Sequence, residues 1–290
     1  MIEDKPSVSI IGKGAVGSAL YGFFSENGFY IKSEWNSRSG RIFREQRSEP
    51  LYVDRNLPVS SEELGDLIFI TTPDDVIAGV AESLAVLPIN WREKSVVHTS
   101  GNITSSVLGL LKKEGASVAS MHPIQTFRKG DGSERFEHIY VSLEGDKELC
   151  LFLEKMVELM KARSVFLTPD QKSQLHIAAV FSSNYVTALM HKMENFLIEA
   201  EVDDGIKVLE PLVKQVISNI FEKGAAESLT GPISRGDIDS VQKHLELLKH
   251  DKELIELYKK LGAEALKIAK KRKAVPEIRL KKLQDIFGRG

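Results

Sequence analysis

Short apolar runs alternate with helix-spaced segments through the first half of the chain. Ser7 to Ile11, Phe29 to Trp35, Asp66 to Thr72, Lys94 to Thr99 and Ala116 to Met121 are each short enough to be a buried strand. Between them, Ala15 to Ser25 and Asp75 to Leu87 carry helical spacing. His138 to Leu143 reads as one more strand, punctuated by Glu144-Gly145-Asp146. Strands alternating with helices predict a mainly parallel, doubly wound α/β sheet. From about Lys147 the pattern turns helical. Asp146 to Ala162 is amphipathic, and Arg163 to Leu167 is short enough for a last strand. Thr168-Pro169-Asp170-Gln171 is a helix start, with Thr as cap, Pro at the first helical position and Gln three residues after the cap. The helix it opens is expected to run to about Ala200, with more helices over 204–223, 237–249 and 251–271, and Pro211 kinking or splitting the first of these. Two domains are expected: an α/β domain over 1–147 and an all-α domain over 148–290.

Composition narrows the function classes. The formal net charge is −2 over 290 residues, which calls for neither nucleic acid nor a membrane surface. One cysteine, Cys150, rules out an internal disulfide and a multi-cysteine metal site, and fits a cytoplasmic protein. No apolar run approaches the roughly 20 residues that span a bilayer. From Lys267 onward nine Lys or Arg stand against two acids. That stretch reads as a solvated helix face and tail rather than a nucleic-acid patch.

The chemistry begins at Gly12-Lys13-Gly14-Ala15-Val16-Gly17, a G-x-G-x-x-G placed between a strand and a helix. Gly12 permits the tight turn, Gly14 lets backbone approach a pyrophosphate, and Gly17 lets helix pack against strand. The anion is expected on the free N–H groups of the helix N-terminus. After the second strand, Asn36-Ser37-Arg38-Ser39 offers a guanidinium and hydroxyls to a 2′-phosphate, with Arg41 close behind and Lys13 as a second cation. This favours NADP(H) over NAD(H). Glu34 is the alternative: were the strand to end two residues early, it would take the ribose hydroxyl of NAD. Three later strand ends are polar and bring Thr71, Thr72, Pro73, then Ser100 and Gly101, then His122 and Gln125 to the carboxyl edge, where open α/β sheets bind ligands. On the long helix, Lys172, His176, Ser183 and Thr187 fall within about 60° at 100° per residue, with Asn184 at the edge of the stripe. The rest of that helix is apolar nearly all round and is expected to be buried, in a core or an oligomer interface. An imidazole suits a general acid, so His176 is the leading proton donor, with Lys172 and Asn184 beside it. Asn184, Ser100 and His122 would orient a substrate carbonyl or imine. In the loop from Glu227 to Asp237, Thr230 and Arg235 would hold a remote carboxylate, although two glycines, a proline and an Asp cap already account for that loop structurally.

Taken together, the 12–17 loop, Asn36 to Ser39, Thr72-Pro73-Asp74, His98 to Gly101, His122 to Phe127, His176 to Tyr185, Leu229 to Pro232 and Arg235-Gly236-Asp237 resemble a family of bacterial proteins. Its members join a Rossmann-like domain to a helical domain of unknown function and carry the label of NADP oxidoreductase. The family is more distantly similar to pyrroline-5-carboxylate reductase, prephenate dehydrogenase, ketopantoate reductase and the β-hydroxyacid dehydrogenases. The resemblance covers nearly the whole chain up to about Lys270. It implies a helical domain like the C-terminal one of 6-phosphogluconate dehydrogenase, a homodimer formed through that domain, and NADP(H). It supplies no substrate. The chain lacks the Lys-x-x-x-Asn pair of the β-hydroxyacid dehydrogenases, because the fourth residue after Lys172 is His176. The expected activity is hydride transfer between NADPH and a small carbonyl or imine at the cleft between the domains, with no metal. The alternatives are a non-catalytic NADP(H) sensor or scaffold, and an enzyme like ketopantoate reductase or prephenate dehydrogenase.

Overall fold

The structure, a computed structural model, describes residues 4–43, 49–273 and 275–288. The chain divides into two compact units, 1–187 and 188–290. The first is built on one nine-stranded sheet. Its strands in chain order are β1 (Val8–Ile11), β2 (Ile31–Trp35), β3 (Gly40–Ile42), β4 (Leu51–Val53), β5 (Leu67–Ile70), β6 (Ser95–His98), β7 (Ser117–Pro123), β8 (Tyr140–Gly145) and β9 (Arg163–Phe166). They lie in the order β4-β3-β2-β1-β5-β6-β7-β8-β9. The five from β2 to β7 are parallel, β8 runs antiparallel to β7, and β9 is parallel to β8. The seven expected strands all form, trimmed or shifted by a few residues. The pattern gave no sign of β3 and β4. Each has three residues, too few for an alternation to register, and they pair antiparallel outside β2.

Both faces of the sheet are covered, and the strands divide their side chains between them. Val8, Ile10, Leu67 and Phe69 enter one core with the helices α1 (Ala15–Glu26) and α4 (Lys147–Leu159). Ile11, Ile68 and Ile70 enter the other with α2 (Asp74–Ala85) and α3 (Gly109–Lys113). Burial on both faces is why these strands read as unbroken apolar runs. The expected boundary at 147/148 falls just before α4. Leu153, Met156 and Val157 of α4 are nevertheless buried in the first core, and β9 extends the sheet, so the first unit continues to Thr187.

The helix expected from Thr168 to about Ala200 is two helices, α5 (Pro169–Ser182) and α6 (Asn184–Glu199). Its start is as expected: Thr168 and Gln171 form a reciprocal capping box. At Ser183 the backbone leaves helical values (φ −124°, ψ −70°), and the Ser183 hydroxyl donates back to the Ala179 carbonyl at 2.6 Å. A serine bonding to the preceding turn competes with the helical ladder and bends it. Of the two expected settings for its apolar residues, a core of the same chain is not what the structure shows. Lys172 is the buried residue of α5, while Ile177, Phe181, Tyr185 and Val186 are exposed.

The second unit continues with α7 (Glu210–Lys223), α8 (Ala225–Ser228), α9 (Gly231–Arg235), α10 (Ile238–Leu247), α11 (Lys252–Arg272) and α12 (Glu277–Phe287). The helix expected over 204–223 is split, as one of the two expected outcomes, into a 3-10 turn over Gly205–Leu209 and α7, with Pro211 in the first turn of α7, where its missing N–H costs nothing. Gly236, at φ +68°, closes α9, and Asp237 caps α10 by accepting from Ser240 N at 3.1 Å. The basic stretch after Lys267 is the end of α11 followed by α12, with Arg289 outside the described residues. Its lysines are solvated as expected, but Leu280, Leu283 and Phe287 of α12 pack with Leu266 and Ala269 of α11 in a core of their own. Among the described residues, no helix is long and apolar enough to cross a membrane.

Candidate active site

The carboxyl ends of β1, β5, β6 and β7 share one edge of the sheet, and the site assembles there. After β1 the chain turns at Gly12, whose φ of +115° favours glycine. A Cβ there would lie 2.7 Å from the Thr71 carbonyl carbon. One on Gly17 would lie 2.1 Å from the Gly12 carbonyl oxygen and 2.5 Å from Thr71 Oγ1. The loop is therefore pressed against the end of β5, and the Thr71 hydroxyl donates to the Gly12 carbonyl at 2.6 Å. Gly14 is different, since its Cβ would meet only the Thr71 oxygen, at 3.9 Å. That glycine caps α1 with no side-chain cap, and no acid follows in the first turn, with Ala15 and Val16 occupying it. The first N–H groups of α1 are thus left for an anion. Beside this loop, Thr72 Oγ1 is buried with no hydrogen-bond partner among the described residues. Pro73 then leads into α2.

The outer end of the nucleotide edge is a tight turn after β2. Asn36 Oδ1 accepts from the backbone N–H groups of Arg38 at 2.9 Å and Ser39 at 3.0 Å, so its side chain is spent on the turn. Ser37 and Arg38 stand exposed at the tip. The strand does not end early. It runs to Trp35, which holds Gly12 N at 2.8 Å, and Glu34 is buried within it. Glu34 Oε2 accepts from Lys13 Nζ at 3.3 Å and is also paired with Arg41 of β3. Lys13 and Arg41 therefore face a carboxylate of the chain itself.

Further along the edge the sheet carries a polar row. His98, Ser120 and Glu144 are register partners on β6, β7 and β8 and are all buried. The same row continues as Ile70 and Ile11 toward the nucleotide loop. Lys172 reaches this row from α5, 2% exposed, and donates to Ser120 Oγ at 2.8 Å and to the Ser100 carbonyl at 2.6 Å. Glu144 accepts from Ser105 N and Ser105 Oγ, both at 2.7 Å. The Ser100 hydroxyl accepts from Asn102 N and Ile103 N, which fixes the loop after β6. One helical turn beyond Lys172 is His176. A Cβ on Gly101 would lie 3.0 Å from His176 Nδ1 and 2.8 Å from His122 Nε2, so two imidazoles converge where this glycine leaves room.

Burial and one shared cation set the protonation of the row. Burial pushes the Lys172 ammonium down to about 8, against partial opposition from Glu144 and Asp74. Burial and then the Lys172 charge push His98 down to about 4, with the Thr104 backbone and Asp74 opposing. His98 Nδ1 accepts from Ser100 N at 3.2 Å, while its Nε2 makes no hydrogen bond of normal geometry. Burial, Lys172 and His176 together push His122 down to about 4. At neutral pH this edge of the sheet therefore holds the Lys172 ammonium beside two neutral imidazoles, His98 in the row and His122 next to it.

Of the residues singled out in the sequence, the structure brings together the 12–17 loop with Thr71 and Thr72, and Ser100, Gly101 and His122 with Lys172 and His176. Gln125 is exposed and bonds to its neighbour Thr126, and Asn184 is exposed and accepts from Ser183 Oγ at 2.8 Å. Ser183 and Thr187 spend their hydroxyls on helix carbonyls. Thr230 and Arg235 are exposed residues of the second unit. Ser120 and Glu144 escaped the sequence reading. Ser120 lies inside a short apolar run and Glu144 just past one, where it reads as the start of a turn, and neither gives a signal until register aligns it with His98.

The family model described as a Rossmann-like domain matches residues 2–123, and the model described as a domain of unknown function, DUF2520, matches 139–265. No curated protein matches the chain. Among solved structures, a Bacteroides fragilis protein provisionally named an NADP oxidoreductase is similar with a TM-score of 0.67 and 20% identity, over 90% of this chain and 98% of that one. A Thermotoga maritima protein is similar with a TM-score of 0.66 and 21% identity, over 91% and 99%. An imine reductase from Aspergillus terreus, solved with NADPH4 and a dibenzazepine, gives 0.61 and 18%, over 95% and 98%. At these identities the likeness is one of fold. Residues 2–123 are thus a Rossmann-like domain and residues 139–265 a DUF2520 domain.

Proposed function

We propose that the chain is an NADP(H)-dependent oxidoreductase that transfers a hydride between NADPH and a small carbonyl or imine. The observation that carries this reading is that Gly12 and Gly17 leave no room for a Cβ beside an uncapped helix start, while Lys172, His122 and His176 gather at the same sheet edge. The dinucleotide fits the residues present. The 12–17 loop would hold its pyrophosphate, the orphaned Thr72 hydroxyl offers it a hydrogen bond, and Ser37 and Arg38 face outward for a 2′-phosphate. When bound, a reduced nicotinamide supplies the hydride. The protein's share is orientation and a proton. His98 and His122 are neutral at pH 7, so neither donates as an imidazolium; His122 is suited to orient the substrate oxygen or nitrogen. His176, half-buried above Gly101, is the proton donor. Lys172 is a positioning residue, since its three-donor head is buried against Ser100 and Ser120, where it fixes the Ser100–Gly101 loop.

The test follows NADPH oxidation against a panel of 2-oxo acids, ketones and cyclic imines. Turnover with one class is expected, and His176→Ala should lower kcat by about 100-fold or more while leaving the melting temperature unchanged. Full turnover in that variant would remove His176 as donor. NADPH binding with no turnover on any substrate would favour the sensor reading.

The reading includes a homodimer. Helices α6 and α7 contain no buried residue, and α7 exposes Leu212, Val216, Ile217 and Phe221, spread over about 180° of the helix at 100° per residue. A second copy of the chain would cover part of this apolar surface. Light scattering is expected to give twice the mass of the chain, and Phe221→Arg, on a side chain 86% exposed, should return it to a monomer. A monomeric wild type would refute the dimer.

A further inference from the structure

Glu34 is 3% exposed, and one of its carboxylate oxygens takes both Lys13 from the glycine loop and Arg41 from β3. The two cations are 43% and 28% exposed, so each has a solvent side. The Arg41 guanidinium also lies 5.5 Å from the Tyr21 ring centre and 5.7 Å from that of Phe43, which fixes its plane. Arg38, at the exposed turn three residues beyond the strand, has no ion pair among the described residues. A carboxylate near the end of the second strand ordinarily accepts from the ribose 2′-hydroxyl of NAD. Here that carboxylate is already bound by two cations and buried beneath them. A 2′-phosphate, as a dianion, would compete with Glu34 for the same two cations, and guanidinium and ammonium both bind it through charge-assisted hydrogen bonds. A 2′-hydroxyl cannot compete in this way.

We infer that Glu34 is the specificity-determining residue of the nucleotide site: it holds Lys13 and Arg41 when no ligand is bound and yields them to a 2′-phosphate. It thereby sets the margin between NADPH and NADH. The inference rests on the dinucleotide reading proposed above. It makes Glu34 an internal competitor of the phosphate, with no role as a ribose ligand.

The experiment is a titration of the full chain with NADPH and with NADH, read by nucleotide fluorescence at equilibrium, with a thermal melt of each variant. Glu34→Gln keeps the side chain's shape and removes its charge. It is expected to tighten NADPH by about tenfold and leave NADH within about twofold. Arg41→Met and Lys13→Met change partly exposed side chains, and carry the test if Glu34→Gln does not fold. Each should weaken NADPH by about tenfold and spare NADH. Loss of NADH binding alone in Glu34→Gln would make Glu34 a ribose ligand and overturn the inference. So would unchanged NADPH affinity, or an equal loss of both nucleotides. A wild-type chain that binds neither nucleotide would instead overturn the dinucleotide reading, and the inference with it.

Discussion

Gly14→Ala is expected to leave the fold intact and weaken NADPH at least about 100-fold, whereas Gly17→Ala damages both. The difference lies in what each new Cβ meets. On Gly14 it touches only the Thr71 oxygen at 3.9 Å, an ordinary contact, and the backbone there (φ −77°, ψ −169°) suits any residue. The methyl instead enters the space in front of the first N–H groups of α1, where a pyrophosphate has to approach. Losing two charge-assisted hydrogen bonds, at about 1.5–3 kcal/mol each, gives the stated fall. On Gly17 the Cβ would stand 2.1 Å from the Gly12 carbonyl oxygen. That oxygen belongs to a backbone pinned by Thr71 and cannot give way. The helix must move off the strand at a cost of about 3 kcal/mol or more, so the melting temperature should fall by at least about 5 °C. Calorimetry and nucleotide fluorescence on the two variants check this. If Gly14→Ala binds NADPH as well as the wild type, the loop does not cradle a diphosphate.

Stability is expected to fall as pH drops from about 6.5 toward 4, and two histidines should account for much of the fall. His98 and His122 titrate near 4 in the folded chain, against 6.5 when unconstrained. Within that window the unfolded chain binds protons that the folded chain refuses, so acid favours unfolding. Each shift corresponds to about 3 kcal/mol once the pH is below the folded value. Lys172 acts in the alkaline range with the same sign. Its folded value near 8 lies below the ordinary 10.5 of a lysine, so the cost of burying the ammonium is fully present below pH 8 and is relieved as pH rises toward 10.5. The check is urea unfolding at several pH values between 4 and 7.5. His98→Asn keeps an acceptor for Ser100 N, and combined with His122→Asn it should flatten the wild-type slope. An unchanged slope in the double variant would mean that neither imidazole is held neutral.

Which parts of this arrangement could be read from the chain follows from the range of each interaction. The 12–17 loop, the capping box at Thr168 to Gln171 and the stop at Gly236-Asp237 are local. In each, the residues that bond or crowd one another are neighbours in sequence, so backbone and side-chain geometry alone predict them. The apolar strands were also legible, because burial on both faces of a parallel sheet demands continuous runs. Beyond those, residue types misled. Lys172 reads as a surface lysine or a catalytic one, and Ile177, Phe181 and Tyr185 read as buried, in a core or an oligomer interface. In the structure the lysine is buried and the apolar residues are exposed.

The amino-acid order therefore determined the α/β then all-α architecture, the glycine loop and the helix starts. Tertiary pairing decided the rest. Only the register of β6, β7 and β8 puts His98, Ser120 and Glu144 in one row, and only α5 crossing that edge gives Lys172 its two acceptors 52 and 72 residues away. Only the extension of β2 to Trp35 turns Glu34 from a ribose ligand into a partner for Lys13 and Arg41. The physical reason is that a buried charge is stable only with its partners in place, and partners so distant along the chain meet through packing alone.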